Sequence, residues 1–191
     1  LRDRLERALA THRRDPERGF ALLYLDVDRF KLFNDSLGHQ AGDIVLREVA
    51  RRLLQCVRTP DVAARLSGDE FAILLEDGPQ PATACRVAQR IQASMQEMVQ
   101  VGDRALRLSD SMGIAVGRAQ HHNIDELLHD ADVALYRAKE GGRQRFVLFD
   151  DREQRAAMDV LQVEQELRDA LHASQIVPHF QPIVRLADGQ V

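Results

Sequence analysis

Leucines at positions 1, 5 and 9 stand among charged residues, so residues 1–12 carry the spacing of an amphipathic helix. Residues 19–27 then run almost unbroken in apolar side chains, which suits a strand in the middle of a sheet with both faces covered. Residues 28–42 are polar, and Asp35-Ser36-Leu37-Gly38-His39 reads as a helix end and loop. The stripe Val45, Leu46, Val49, Ala50, Leu53, Leu54 and Val57 predicts a long helix, with Asp43 as its cap. After the Pro60-Asp61 break, two apolar runs at 62–66 and 71–75 enclose Ser67-Gly68-Asp69-Glu70. Strand, small-residue turn, strand is a β-hairpin, here with acid at its tip. Gly78-Pro79-Gln80-Pro81 reads as a loop. A helix over 83–98 places Val87, Ala88, Ile91 and Met95 on one face, where methionine is core filler. A strand over 106–116 contains Gly113, a helix over 124–140 stops at Gly141-Gly142, and residues 145–149 form a last short strand.

Strands alternating with helices, with one hairpin inserted, predict a mixed sheet covered by helices. The pattern changes after Phe149. Residues 150–173 are one charged stretch with Met158, Leu161, Leu167 and Leu171 at helical spacing, as in a helix joining two domains. Residues 176–184, with Gln181-Pro182 inside, read as a new strand, and Asp188-Gly189 as a turn. That tail is too short to bury a core by itself.

At 191 residues the chain holds one domain plus a remainder. Its 45% hydrophobic and 29% charged residues are ordinary for a globular protein. A net charge of −4 gives no electrostatic case for binding a nucleic-acid polymer, though a small anion held by a few basic groups fits. Cys56 and Cys85 lie in apolar helical patterns without metal-ligand spacing, so buried thiols in a reducing compartment are the expectation. No run is long enough for a membrane span and there is no signal peptide, so the expected location is cytoplasmic, with any membrane tether lying ahead of Leu1. The chain opens at Leu1 inside a helical pattern and is read as a piece of a longer protein.

The candidate chemistry is acidic. Asp26 and Asp28 end one predicted strand, and Asp69 and Glu70 sit at the hairpin tip. Acid at either place alone is solvated turn chemistry. Two acidic strand ends together are what a hard divalent cation needs, because such ions take oxygen ligands.

Several segments carry a family resemblance: Leu25-Asp26-Val27-Asp28-Arg29-Phe30-Lys31, Asn34-Asp35-Ser36-Leu37-Gly38-His39, Gly42-Asp43, Ser67-Gly68-Asp69-Glu70-Phe71 and Ala138-Lys139-Glu140-Gly141-Gly142-Arg143. In order and spacing they resemble the GGDEF family of diguanylate cyclases, over residues 1–150. The tail, Glu166-Leu167-Arg168-Asp169-Ala170-Leu171 through His179-Phe180-Gln181-Pro182-Ile183-Val184, is similar to the opening of an EAL domain, the cyclic di-GMP phosphodiesterase barrel. The resemblance implies a GGDEF domain at 1–150 with an incomplete N-terminal segment, a helical linker at 151–173 and an EAL fragment at 174–191. It implies an α+β fold, an α/β sandwich of the ferredoxin-like palm type shared by nucleotidyl cyclases, with a mixed central sheet, flanking helices and an active-site hairpin.

The implied reaction condenses two GTP into cyclic di-GMP and two pyrophosphates in a homodimer, each domain holding one GTP. Magnesium or manganese, two ions per site, would be held by Asp26, Asp69, Glu70 and the Val27 carbonyl. Asp69, Glu70 and Lys31 match catalytic positions, Glu70 as a further ligand or in proton removal and Lys31 against phosphate charge. Asn34 and Asp43 match a guanine-reading pair, since an amide and a carboxylate satisfy guanine's edge. His39 matches a nucleotide contact, and Lys139 and Arg143 the triphosphate clamp. Arg58 and Asp61 match an inhibitory Arg-x-x-Asp site for the product, which Arg86 or Arg90 would complete. Each has a plainer reading: a loop histidine at 39, turn and cap residues at 34 and 43, helix-end cations at 139 and 143, a surface ion pair at 58 and 61.

The chain departs from the family at Ser67, where the first glycine normally stands, and at Gln144, where asparagine is usual. If residue 67 takes a positive φ, serine costs about 1 kcal/mol of strain; if only a small side chain is needed, it costs little. The leading Leu-Thr-Gly-Leu segment is absent, and the tail stops before the glutamate that names the EAL domain. The alternative function is a weak or inactive domain that binds GTP or cyclic di-GMP and regulates an attached EAL enzyme.

Overall fold

Strand β1 (Ala21–Val27) is the centre of the molecule. It lies between β3 (Glu70–Leu75) and β6 (Asp110–Val116) in a five-stranded sheet of order β2-β3-β1-β6-β7, with β2 at Val62–Ser67 and β7 at Phe146–Leu148. Only β6 and β7 run parallel; the other pairs are antiparallel. The structure is a computed structural model describing residues 1–76, 81–150 and 170. The chain divides into two units, Leu1–Phe149 and Asp150–Val191, and every element described here lies in the first. The expected loop at 78–80, linker helix and EAL strand fall outside the described residues.

The near-continuous apolar character of β1 follows from cover on both faces. Ala21, Leu23, Leu25 and Val27 join Phe71, Ile73 and Ile114 in a core sealed by helices α3 (His39–Gln55) and α4 (Pro81–Met95). Leu22 points the other way, with Ala72, Leu74 and Ala115, against α1 (Arg2–Arg14) and α5 (Ile124–Glu140). The helix stripes read from sequence are those that bury: Leu5 and Leu9 in α1, Val45, Leu46, Val49 and Leu53 in α3, Val87, Ala88, Ile91 and Met95 in α4.

Four readings change. The loop around Gly38 is a junction of two helices, α2 (Phe30–Leu37) and α3, with Gly38 at φ 83° ending one and opening the other. Asp43 therefore lies inside α3 and is not its cap. Leu54, placed on the buried stripe, is 62% exposed, while Arg52 beside it is 2% exposed. The Arg52 guanidinium reaches Glu48 and the carbonyls of Ser94, Glu97 and Met98, so it caps the C-terminal end of α4. Finally, α4 ends at Met95 and β6 begins at Asp110. Between them a separate hairpin, β4 (Met98–Val101) and β5 (Arg104–Arg107), turns at Gly102, φ 59°. Four-residue strands are too short for periodicity to reveal, and Val101-Gly102-Asp103-Arg104 was their one available signal.

Candidate functional site

Register assembles the site. In the β1–β3 ladder Asp26 stands opposite Glu70, and beyond the ladder the Val27 N–H donates to the Asp69 carbonyl at 3.3 Å. Asp26, Asp69 and Glu70 thus meet at one end of the sheet. Alternation puts Tyr24, Asp26 and Glu70 on the face covered by α5, and Lys139 descends from the last turn of that helix to Asp26, Nζ to Oδ2 2.8 Å. Burial raises the Asp26 carboxyl, as do Asp69 and Asp28, while Lys139 opposes them.

The hairpin tip is a built turn. Gly68 takes φ 45°, where a Cβ would be strained, and its carbonyl accepts from Arg65 Nε at 2.8 Å. Ser67 has no positive φ: among the described non-glycine residues only Arg29, Arg143 and Gln144 do. The serine in place of glycine therefore adds no left-handed strain. Its hydroxyl donates to Glu70 Oε2 at 2.7 Å, and the Tyr24 hydroxyl donates to the same oxygen at 3.3 Å. Burial and then Glu70 push the Tyr24 phenol up to about 12, which keeps it a donor.

Beneath the acids lies a second, buried layer. Asp28 is 5% exposed; Ser111 Oγ donates to its Oδ1 at 2.7 Å and the Gln144 N–H to its Oδ2 at 3.2 Å. Asp28 thereby holds the 143–144 bend, where Arg143 and Gln144 both sit in the left-handed region at φ 63° and 52°. Asp110, cross-strand from Val27, is 2% exposed, and burial followed by the charge of Asp28 pushes it up to about 7. None of Tyr24, Ser111 and Asp110 was singled out from sequence; for Tyr24 the two-residue offset from Asp26 was a readable signal.

The other expected positions are distributed around this end. Lys31 is exposed in the first turn of α2, and His39 is exposed at the start of α3. Asn34 is half-buried, and its Oδ1 is buried without a hydrogen-bond partner among the described residues. It lies where a Cβ on Gly42 would collide with it, so only glycine at 42 leaves that amide in place. Asp43 is exposed and lines a cavity of about 310 Å³ with Leu46, Arg47, Ala50, Arg65 and Phe71. Arg143 is exposed.

The expected product site looks different in detail. The Asp61 carboxylate accepts the backbone N–H groups of Arg58 and Glu76, so the pair is not a simple surface ion pair. Arg90 donates to the Cys56 carbonyl at 2.6 Å and Arg86 to Thr83 Oγ1 at 3.0 Å, so both guanidinium groups are already engaged.

The donor set suits a hard divalent ion: oxygen only, with excess negative charge that Lys139 partly offsets. Among the described residues no three His, Cys, Asp or Glu side chains are already gathered as ligands. Asp26 faces Lys139, so ion binding there requires that carboxylate to exchange its partner, whereas Glu70 meets two hydroxyls through Oε2 alone.

A mixed sheet between two helical layers, with acids on the central strand and adjoining hairpin, defines a palm-like cyclase fold. The chain belongs to the GGDEF family: the family model described as "Diguanylate cyclase, GGDEF domain" matches residues 1–145. It is 40% identical over 189 residues to MucR of Pseudomonas aeruginosa, a bifunctional diguanylate cyclase/cyclic di-GMP phosphodiesterase, covering 99% of this chain and 27% of that protein. It is 39% identical over 174 residues to NbdA of the same organism, a cyclic di-GMP phosphodiesterase, covering 91% and 22%. The chain thus spans about a quarter of the length of these relatives. The crystal structure of the GGDEF domain of TpbB (YfiN) from Pseudomonas aeruginosa superposes with a TM-score of 0.74 at 42% identity, covering 78% of this chain and 92% of that one.

Proposed function

We propose that this domain is a diguanylate cyclase, joining two GTP into cyclic di-GMP with release of two pyrophosphates. One observation carries the reading: Asp26, Asp69 and Glu70 converge at one sheet end, beside the Lys139 ammonium. Each ribose 3′-hydroxyl gives up its proton and attacks the α-phosphorus of the facing GTP, so that over the two attacks two P–O bonds form and two bonds to pyrophosphate leaving groups break. Asp26, Asp69 and Glu70, with the Val27 carbonyl, would hold magnesium or manganese, which supplies a lowered hydroxyl pKa and charge neutralisation at the leaving group. Lys139, released from Asp26, is free to turn to the triphosphate with Arg143 and Lys31. Asn34 and Asp43 read the guanine edge, His39 adds a nucleotide contact, and the cavity bearing Asp43 has the scale of a base site. Since each domain presents one GTP, two domains must face each other.

A second reading is a GTP-binding or product-binding regulator of an attached EAL domain. It draws on the likeness to NbdA, a relative named for phosphodiesterase activity, and on Arg58 and Asp61 as the product site. Incubation with GTP and magnesium, followed by chromatography, separates the readings. The cyclase yields cyclic di-GMP and Glu70→Ala yields little or none. Folded protein that binds GTP by calorimetry yet forms no product at high concentration sinks the first reading and supports the second.

A further inference from the structure

Register at the hairpin is broken between Arg65 and Ser67, so Ser67, not Leu66, stands opposite Glu70. A bulge of this kind re-aims a side chain, and here Leu66 is left 42% exposed while the Ser67 hydroxyl meets Glu70. A glycine at 67 would offer no such group. Two hydroxyls, from Ser67 on β2 and Tyr24 on β1, converge on Oε2. Among the described residues the other oxygen, Oε1, receives no hydrogen bond.

We propose that Ser67 is a positioning residue for Glu70: with Tyr24 it fixes the carboxylate by one oxygen and leaves the second for a divalent cation. The hydrogen bond is charge-assisted and short, the kind that holds a flexible side chain in one rotamer. Glutamate otherwise has rotamer freedom to lose on binding an ion, and a support already in place removes that cost before the ion arrives. The serine is then a gain of order at the site. The cation part of the inference rests on the cyclase reading; the anchoring of Glu70 does not.

The test uses the present chain and its Ser67→Ala, Ser67→Gly and Ser67→Thr variants. NMR side-chain couplings of Glu70 in metal-free protein should report one dominant rotamer in the parent and in Ser67→Thr, and averaging in Ser67→Ala and Ser67→Gly. Manganese affinity, read by electron paramagnetic resonance with a non-reacting GTP analogue bound, should weaken about 3- to 10-fold in the alanine and glycine variants and return with threonine. In turnover, kcat should fall by a similar factor with KM for GTP unchanged. Equal averaging of Glu70 in parent and alanine variant overturns the proposal whatever the domain's activity. Unchanged manganese affinity in a variant whose Glu70 is averaged overturns it as well. A parent with an ordered Glu70 that binds no manganese supports the anchoring and removes the cyclase reading instead.

Discussion

Asp110 shows how one buried side chain sets a pH response. Its carboxyl is pushed up to about 7 by burial and by Asp28, against an unfolded value near 3.9. The folded state therefore keeps a proton that the unfolded chain releases above pH ~4. Stability from this group is complete below that value and is lost as pH rises through about 7, by on the order of a few kcal/mol. Urea denaturation at pH 4.5, 6 and 8 should show stability declining upward, and Asp110→Asn should flatten the decline. An equal slope in the variant would place the titration elsewhere. The opposite limb belongs to Glu48, held down at about 2 by Arg51 and Arg52, whose contribution is lost as pH falls from about 4.5 through about 2. Nothing in the sequence marks Asp110: in Leu108-Ser109-Asp110-Ser111 it looks like a polar strand start, and only pairing with Val27 buries it. Asp26 stands out in the sequence because it ends an apolar run, and Asp69 because it sits at a turn between two of them.

At the scale of the element, α5 is seated by Gly113. A Cβ there would collide with the Ala131 carbonyl oxygen and the Leu135 amide nitrogen, both backbone atoms that cannot swing aside. Gly113→Ala must lift the helix from β6, and Lys139 rides on that helix. The expected cost is at the upper end of the ~1–3 kcal/mol typical of overpacking, read as a lower urea midpoint, with GTP turnover falling as the helix carries Lys139 away from the acidic end of the sheet. A change below 0.5 kcal/mol, within the ordinary surface range of about ±0.5, would mean that the helix has room to slide. The α5 boundaries matched the sequence reading because a capping asparagine at 123, whose side chain accepts the Glu126 N–H, and the Gly141-Gly142 stop bracket a strong stripe. The β4–β5 hairpin escaped because its strands have four residues each and only one face to bury.

At the scale of the whole molecule, the proposed reaction requires two domains. Adding excess Glu70→Ala chain to a fixed amount of parent should depress product formation beyond simple dilution, because mixed pairs contain one impaired half-site. Chromatographic yield that depends only on the parent concentration would count against a symmetric pair. The net charge of −4 gives no electrostatic case for steering a polymer. Among the described residues no helix is long and apolar enough to cross a membrane.

The chain itself dictates the helix stripes, the apolar central strand, the hairpin and the succession of segments that mark the GGDEF family, because periodicity, capping and turn chemistry are local. Folding alone decides that Lys139 meets Asp26, that Arg52 is buried where Leu54 is not, and that Ser67 rather than Leu66 faces Glu70. Those choices depend on strand register and on how closely helices approach the sheet. Both are settled by contacts between residues far apart along the chain, which no local pattern records.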